Sequence, residues 1–367
     1  MKEIGLYIHI PFCKQKCYYC DFISYSDKAN CVDEYIDTLI KEYKDYKPEE
    51  YIIKTIYIGG GTPSYINSKY IQKILKEIDI KNAEEITIEV NPGTVTREKL
   101  IDYKEAGINR ISIGLQSTRD NLLKNIGRIH TYDEFLQTYN LAREVGFRNI
   151  NVDLMLALPG QSIEDLKESV EKVIELKPEH ISVYSLILEE GTKLYDLIEN
   201  GTYILPEDET ERKMYWLVKE KLEEKGYKHY EISNFAKQGF ESKHNIDCWK
   251  QKEYVGIGAA SHSYLDGIRY SNQENIEEYI KNYNNKEVHE EQDKLSQKKE
   301  FMILGLRKID GIYISHFKNK FNENPIYLFR EELNILVNEG LIEIDLDNIR
   351  LTSKGLDLAN IVWEQFI

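Results

Sequence analysis

The sequence predicts an α/β protein, with a partial (β/α)6 barrel followed by a small winged-helix-like α+β domain. Short apolar strands alternate with amphipathic helices as far as about residue 230, and this alternation indicates a parallel sheet. Polar or glycine-rich segments follow several of the strands, where parallel α/β folds bind their ligands. Beyond about residue 295 the pattern changes to helices and a hairpin. A doubly wound open sheet is the alternative to the barrel.

The first part contains six predicted strand–helix units, and that number favours the barrel. The strands are 4–10, 55–58, 85–90, 110–114, 150–156 and 180–186. The helices are 32–46, 69–78, 97–106, 132–145, 163–176 and 207–225. The glycine-rich segment 59–63 follows the second strand, Glu89 ends the third, Gln116 follows the fourth and Asp153 lies in the fifth. We expect these groups to converge at one edge of the sheet.

The last part, 295–367, is predicted to form three helices, 298–307, 314–320 and 327–339, and two strands within 341–352 around a turn at residues 347–348. A connecting segment, 231–294, separates it from the barrel, 1–230. In residues 295–367 the 11 Asp and Glu outnumber the 9 Lys and Arg, whereas a DNA-binding wing is normally basic. We therefore expect no nucleic-acid partner.

Composition restricts the classes of protein further. The formal net charge of −15 argues against a broad nucleic-acid surface. No apolar run reaches the length of roughly 18 residues that spans a bilayer, and the first residues lack the core of a signal peptide. A cytoplasmic location is expected, where thiols stay reduced.

Three of the five cysteines, Cys13, Cys17 and Cys20, lie within eight residues. This spacing fits three thiolates around one corner of a four-iron cluster, which leaves one iron open to a small molecule. The alternative is a zinc site completed by His9 or Cys31.

The segment Pro11-Phe12-Cys-x3-Cys-x2-Cys and the later Gly59-Gly60-Gly61-Thr62-Pro63 resemble the radical S-adenosylmethionine (SAM) superfamily. More narrowly, nearly the whole chain resembles the oxygen-independent coproporphyrinogen III oxidase-like family. The resemblance implies a [4Fe-4S] cluster whose open iron binds the amino and carboxylate groups of SAM. It also implies reductive cleavage of SAM and is compatible with an electron donor such as flavodoxin or ferredoxin.

The resemblance also implies which residues bind SAM. They are Tyr7 and Tyr19 beside the cluster, Gly60, Gly61 and Thr62 of the glycine-rich turn, the polar residues Glu89, Gln116, Arg128 and Asp153, and His262 in a second glycine-rich segment, Gly256-Ile-Gly-Ala-Ala-Ser-His-Ser263. Taken singly, each has an ordinary interpretation as a cap, a turn residue or a buried polar group. For His262 the alternative is a packed core histidine.

Two departures distinguish the chain from the oxidase branch of that family. Phe22 stands where that branch has a fourth cysteine, and Cys13 is too near the start for the extension that the oxidases carry. Both features match the HemW-type heme chaperone branch. A family-specific motif in the connecting segment, His244-Asn-Ile-Asp-Cys-Trp249, is similar to one linked there to heme. It makes His244 the predicted heme ligand, whereas Cys248 is either a soft iron ligand or a small buried hydrophobe.

Three functions remain open from the sequence. The favoured one is a heme chaperone that binds heme, a [4Fe-4S] cluster and SAM and transfers heme to an acceptor protein. The alternative is an oxygen-independent coproporphyrinogen III oxidase that decarboxylates two propionates. A regulator acting through the winged-helix-like domain is the third, which the acidic charge of that domain disfavours.

Overall fold

The computed structural model describes residues 1–367, apart from the side chain of Glu291. Six parallel strands form the centre of the main sheet: β1 (Lys2–Ile10), β2 (Tyr51–Gly60), β3 (Glu85–Val90), β4 (Arg110–Gln116), β5 (Ile150–Leu156) and β6 (His180–Ser185). They are neighbours in chain order. A doubly wound sheet would reverse that order, so the predicted partial barrel is confirmed.

Helices connect the strands and cover the outside of the barrel with their apolar residues. They are α1 (Val32–Asp45), α2 (Ser68–Lys76), α3 (Arg97–Glu105), α4 (Asp120–Asn125), α5 (Tyr132–Val145), α6 (Ile163–Leu176), α7 (Lys193–Glu199) and α8 (Asp208–Glu224). Local signals determine several starts: α5 begins with a capping box between Thr131 and Glu134, and α6 with one between Ser162 and Asp165. Among the described residues, none of the helices is both long and apolar enough to cross a membrane.

The connecting segment 231–294 is far more structured than a linker. It follows β7 (Lys228–Glu231) and contains β8 (Asn234–Ala236), α9 (Lys243–Trp249), β9 (Tyr254–Ile257), β10 (His262–Leu265), β11 (Ile268–Asn272), α10 (Ile276–Lys281) and β12 (Lys286–Glu291). Together with β7, its five strands extend the main sheet to twelve, in the order β12-β11-β10-β9-β1-β2-β3-β4-β5-β6-β8-β7. Strand β9 pairs with β1 in parallel, and β10 to β12 add antiparallel strands.

The C-terminal part has its own three-stranded sheet and its own apolar core, which includes Phe301, Phe317 and Phe366. Its elements are α11 (Lys294–Gly305), β13 (Ile312–Tyr313), α12 (Ile314–Phe321), α13 (Pro325–Leu328), α14 (Arg330–Asn338), β14 (Ile342–Ile344), β15 (Asn348–Leu351), α15 (Ser353–Asp357) and α16 (Ala359–Glu364). The hairpin turn, predicted at residues 347–348, spans residues 345–348. The predicted helix 327–339 is two helices, because the backbone leaves the helical range at Phe329 (φ −108°, ψ 38°).

Alternation along the strands gives the barrel a polar interior. In β4, Ser112, Gly114 and Gln116 line a cleft inside the barrel, whereas Ile111 and Ile113 belong to the apolar core. Successive side chains of a strand point to opposite faces. The polar face of each central strand is therefore turned towards the interior, where the predicted site lies.

Candidate cluster and cofactor site

A cleft of about 750 Å³, part of it open to solvent, lies at the carboxyl ends of the central strands. Most of the predicted site residues line it together: Cys13, Cys17, Cys20, Tyr19, Gly60, Gly61, Thr62, Glu89, Gln116, Arg128 and Asp153. Tyr7, His244 and His262 are outside its lining. The expected convergence at the sheet edge therefore occurs for the cysteine loop, the glycine-rich turn and the strand-end polar residues.

The cysteine loop is folded over the end of β1 by backbone hydrogen bonds. The Cys13 N–H donates to the Tyr25 carbonyl at 2.9 Å, and the Tyr25 N–H donates to the Pro11 carbonyl at 2.7 Å. At the other side, the Tyr18 N–H donates to the Ile126 carbonyl at 3.0 Å. The loop is thus held at both ends, with its thiols turned towards the cleft.

A small apolar cluster supports the loop from below. It comprises Leu122, Ile126, Met155, Leu158, Leu186 and Leu194, with Tyr18 and Tyr19 packed against it. The loop therefore rests on a packed base that belongs to the barrel. This packed base therefore fixes where the cysteine loop lies relative to the cleft.

The donor set fits a cluster with one open corner. Three soft thiols surround one end of a polar cleft, and thiolates are the ligands of iron–sulfur clusters. Burial raises the pKa of Cys13, and it raises the pKa of Cys20 to about 11. These thiols are protonated without metal at neutral pH, and bound iron would release their protons.

The zinc alternative does not fit the neighbouring side chains. Both ring nitrogens of His9 have partners, the Tyr7 hydroxyl at 3.0 Å and the Ile23 carbonyl at 3.1 Å. The Cys31 thiol donates to the Lys28 carbonyl at 3.1 Å.

The glycine-rich turn requires its glycines for contact with the cysteine loop. Gly60 has φ +111°, and a Cβ there would lie 2.6 Å from the His9 ring. A Cβ on Gly61 would lie 3.0 Å from the Cys13 sulfur. Absence of side chains lets the turn pass directly beneath the loop.

Two carboxylates face the cleft with different hydrogen-bond partners. Glu89 accepts a hydrogen bond from the Tyr57 hydroxyl at 2.9 Å. Asp153 accepts hydrogen bonds from Ser112 at 3.0 Å and Asn151 at 2.7 Å. Burial raises the pKa of Glu89 to about 7 and also raises the pKa of Asp153. Carboxylates accept hydrogen bonds from hydroxyl and ammonium groups, the groups that SAM carries.

Arg128 links the cleft to the cysteine loop. Its Nη2 donates to the Gly114 carbonyl at 2.5 Å and to Asn91 at 2.9 Å, and its Nη1 lies 3.6 Å from the Cys17 sulfur. Asn91 in turn donates to Thr62 at 2.8 Å. Burial opposes the charge of Arg128, but neighbouring Cys17, Tyr19 and Tyr184 raise its pKa overall. The guanidinium therefore places a permanent positive charge beside the thiols.

Sequence reasoning missed two polar residues that line the cleft. Ser112 lies within β4, and Tyr184 of β6 donates to Gln116 at 3.0 Å. The sequence pattern could have predicted them, since each lies on the inward face of a predicted strand or at its carboxyl end. A strict count of alternate positions from Arg110 would have found Ser112.

The three predicted residues outside the cleft occupy different places. The Tyr7 ring stacks on Tyr57 with 6.3 Å between ring centres. His262 is exposed at the start of β10 and stacks on His289 at 5.2 Å. His244 is buried in α9, with its Nδ1 2.9 Å from the Thr55 hydroxyl.

Cys248 lies on the same helix as His244 and is half-buried. Burial raises the pKa of its thiol to about 12, so the thiol is protonated at neutral pH. Unlike Cys13, Cys17 and Cys20, Cys248 does not line the cleft. The interpretation of Cys248 as a small hydrophobe is the one that this environment favours.

A three-cysteine loop over a polar cleft, at the carboxyl ends of a partial barrel, defines a radical SAM protein. The family model of the radical SAM superfamily matches residues 7–173, and that of the HemN C-terminal domain matches residues 293–358. This class implies a [4Fe-4S] cluster and SAM as cofactors. A solved structure of coproporphyrinogen III oxidase (HemN) from Escherichia coli, described as a radical SAM enzyme, matches with a TM-score of 0.85. The match covers 100% of this chain and 90% of that chain at 22% identity, which shows the fold alone.

Relatives that are similar over the full length assign the chain to one family among the radical SAM proteins. Heme chaperone HemW of Lactococcus lactis subsp. lactis (strain IL1403) is 41% identical over 372 residues, which cover 100% of this chain and 98% of the relative. Heme chaperone HemW of Bacillus subtilis (strain 168) is 40% identical over 98% of both chains. A Danio rerio protein, radical S-adenosyl methionine domain-containing protein 1, mitochondrial, is 32% identical over 98% of this chain and 85% of its own. The chain belongs to the HemW family.

Proposed function

We propose that this chain is a heme chaperone, which binds heme, a [4Fe-4S] cluster and SAM and transfers heme to an acceptor protein in the cytoplasm. Its relatives at 40–41% identity over nearly the full length bear the name heme chaperone. The observation that carries the proposal is Phe22. It lines the rim of the cleft and is 63% exposed, at the position where the oxidase branch has a fourth cysteine.

The cluster would be held by Cys13, Cys17 and Cys20, and it would supply an electron to bound SAM. Arg128 lies beside Cys17 and would offset the negative charge of the thiolates. The Thr62 hydroxyl lies 3.5 Å from the Cys13 sulfur. Hydrogen bonds to cluster sulfurs adjust the reduction potential of such a site.

SAM would lie against the glycine-rich turn and the carboxylates. Gly60 and Gly61 allow close approach of the backbone. Glu89 and Asp153 accept hydrogen bonds from hydroxyl or ammonium groups, and Gln116 offers an amide. Tyr19, on the supported loop, closes the cleft beside the cysteines.

Heme and the partner proteins would act outside this cleft. His244 stays the predicted heme ligand, although its burial and its contact with Thr55 mean that α9 would have to move before its ring could reach iron. An electron donor such as flavodoxin or ferredoxin would approach over the outer side of the loop. There, Lys16 and Lys193 line a depression together with Cys17 and Cys20.

The proposal is tested on one anaerobically reconstituted preparation of the full chain. Heme titration should change the Soret absorbance with saturation, whereas incubation with SAM, a reductant and coproporphyrinogen III should give no protoporphyrinogen. Formation of protoporphyrinogen would establish the oxidase alternative, and absence of saturable heme binding would refute the chaperone. Cys17→Ala should lose the cluster absorbance, which checks the ligand assignment separately.

A further inference from the structure

Helix α9 closes the end of the barrel opposite the cleft. The backbone N–H groups of Lys243 and His244 donate to the Glu85 carboxylate at 3.0 and 3.1 Å, and the Ser242 hydroxyl donates to it at 3.4 Å. Glu85 is the first residue of β3 and pairs with Thr55 of β2. The start of the helix is thus fastened to the amino-terminal end of β3, beside the middle of β2.

This attachment places the His244 ring inside the barrel. Its Nδ1 lies 2.9 Å from the Thr55 hydroxyl, and its ring centre lies 5.4 Å from that of Tyr57. Burial lowers the pKa of His244 to about 4. The ring is therefore neutral at physiological pH and packs as an aromatic group against Tyr57.

Tyr57 connects His244 to the cleft. Thr55 and Tyr57 are alternate residues of β2 and point to the same face. The Tyr57 hydroxyl donates to Glu89 at 2.9 Å, and Glu89 lines the cleft. Gly59 leaves the space for this contact, because a Cβ there would lie 3.0 Å from the Tyr57 ring and 3.1 Å from the Glu89 carboxylate.

A second branch leads from Tyr57 to the cysteine loop. The Tyr57 ring stacks on Tyr7, whose hydroxyl lies 3.0 Å from the His9 Nδ1. The other His9 nitrogen lies 3.1 Å from the carbonyl of Ile23, three residues beyond Cys20. Contacts therefore run without a break from α9 to both the cleft and the cluster loop.

We infer that Tyr57 and His244 are positioning residues for SAM: Tyr57 orients the Glu89 carboxylate, and His244, held by Thr55, fixes the Tyr57 ring. The inference rests on the proposed binding of SAM by Glu89. It gives the His244–Trp249 motif a structural role in the cofactor site. Heme ligation by His244 is the competing role. A positioning role predicts that His244→Ala lowers the affinity for SAM, whereas a ligand role predicts that it lowers the affinity for heme.

The test measures two affinities of the reconstituted full-length protein, for SAM by anaerobic calorimetry and for heme by Soret titration. Tyr57→Phe keeps the ring and removes only the hydroxyl. The dissociation constant of SAM should therefore rise about tenfold, as expected for one lost hydrogen bond to a charged group. His244→Ala should weaken SAM binding by about threefold to tenfold. His244→Asn, which keeps a nitrogen near Thr55, should restore part of the loss.

Lys243→Ala is the matched control on the same helix. Its side chain is exposed and paired with Glu84, so SAM affinity should stay within about twofold of the parent, as for an exposed ion pair. Iron content and far-ultraviolet circular dichroism establish that each variant is folded and loaded. Tyr57→Phe keeps the test valid if His244→Ala fails to fold.

Glu89→Gln separates the inference from the assignment on which it rests. If Glu89→Gln leaves SAM affinity unchanged, the assignment of Glu89 fails and the inference fails with it. If Glu89→Gln weakens SAM but Tyr57→Phe and His244→Ala do not, only the positioning role is overturned. Loss of heme binding in His244→Ala with unchanged SAM affinity would establish the ligand role in its place.

Discussion

The guanidinium of Arg307 lies 4.4 Å from the centre of the Trp249 ring. It also lies 5.1 Å from the ring of Trp363, a residue of α16 in the C-terminal part. Trp249 is the last residue of α9, the helix that carries His244. One short helix therefore contacts the barrel interior at its start and the C-terminal part at its end.

Arg307→Met is expected to lower the free energy of unfolding by about 2 kcal/mol, because two cation–π contacts are lost together with the charge facing the buried Glu231. Denaturant unfolding followed by tryptophan fluorescence measures the change. Arg350→Met serves as the control, since Arg350 pairs with Glu343 at the surface and should contribute less than about 1 kcal/mol. Equal effects of the two substitutions would contradict the role of the tryptophan contacts.

Gly60→Ala is expected to prevent normal cluster assembly. The added Cβ would meet the His9 ring at 2.6 Å, and His9 supports the loop through Ile23. Iron bound per chain after reconstitution measures the effect. Gly201→Ala is the matched control: Gly201 also has a positive φ, +75°, but a Cβ there would contact nothing within 4 Å. Gly201→Ala should lower the free energy of unfolding by only about 1 kcal/mol, through backbone strain, and this variant should bind as much iron per chain as the parent.

SAM affinity is expected to rise with pH through about 7. Burial raises the Glu89 pKa to about 7, helped by the charge of Asp153 and opposed by Tyr57, the Gly60 N–H and Arg110. Below that pH Glu89 is protonated and neutral, and above it the anion can accept hydrogen bonds from the cofactor. Binding should be about tenfold tighter at pH 8 than at pH 6.

The control for this pH dependence is Glu89→Gln, which cannot titrate at that position. Any ionisation of SAM itself contributes equally to both proteins, so the difference between their pH profiles isolates Glu89. Parallel profiles for the two proteins would show that Glu89 does not contact the cofactor in its charged form.

Arg128→Gln is expected to weaken retention of the cluster. The substitution removes the positive charge beside Cys17 and leaves the Gly114 carbonyl without its donor, at a cost of about 1–3 kcal/mol. The rate of iron release to a chelator measures the change and should rise by about tenfold or more. Arg119→Gln alters an arginine that pairs with Asp165 and Glu168 outside the cleft, and it should leave the rate unchanged.

Much of the barrel was predictable because its signals are local. The bounds of β3, β5, α5 and α6 match the predicted ranges 85–90, 150–156, 132–145 and 163–176. Apolar periodicity and capping residues act within a few positions, so neighbouring sequence is sufficient to determine them. Strands β9 to β12 were missed, because β9 and β10 have only four residues each, β11 and β12 are rich in polar residues, and all four are stabilised by pairing with β1 or with one another.

The amino-acid sequence by itself determined the three-cysteine loop, the glycine-rich turn and the residues at the strand ends, because spacing along one chain decides which groups reach a common edge of a parallel sheet. Only the tertiary structure decided where the His244–Trp249 motif lies. A seven-residue helix can face any cavity of the right polarity, and its place at the base of the barrel follows from contacts with Glu85, Thr55 and Arg307, which are distant from it in sequence. Long-range packing of this kind leaves no mark in the local pattern.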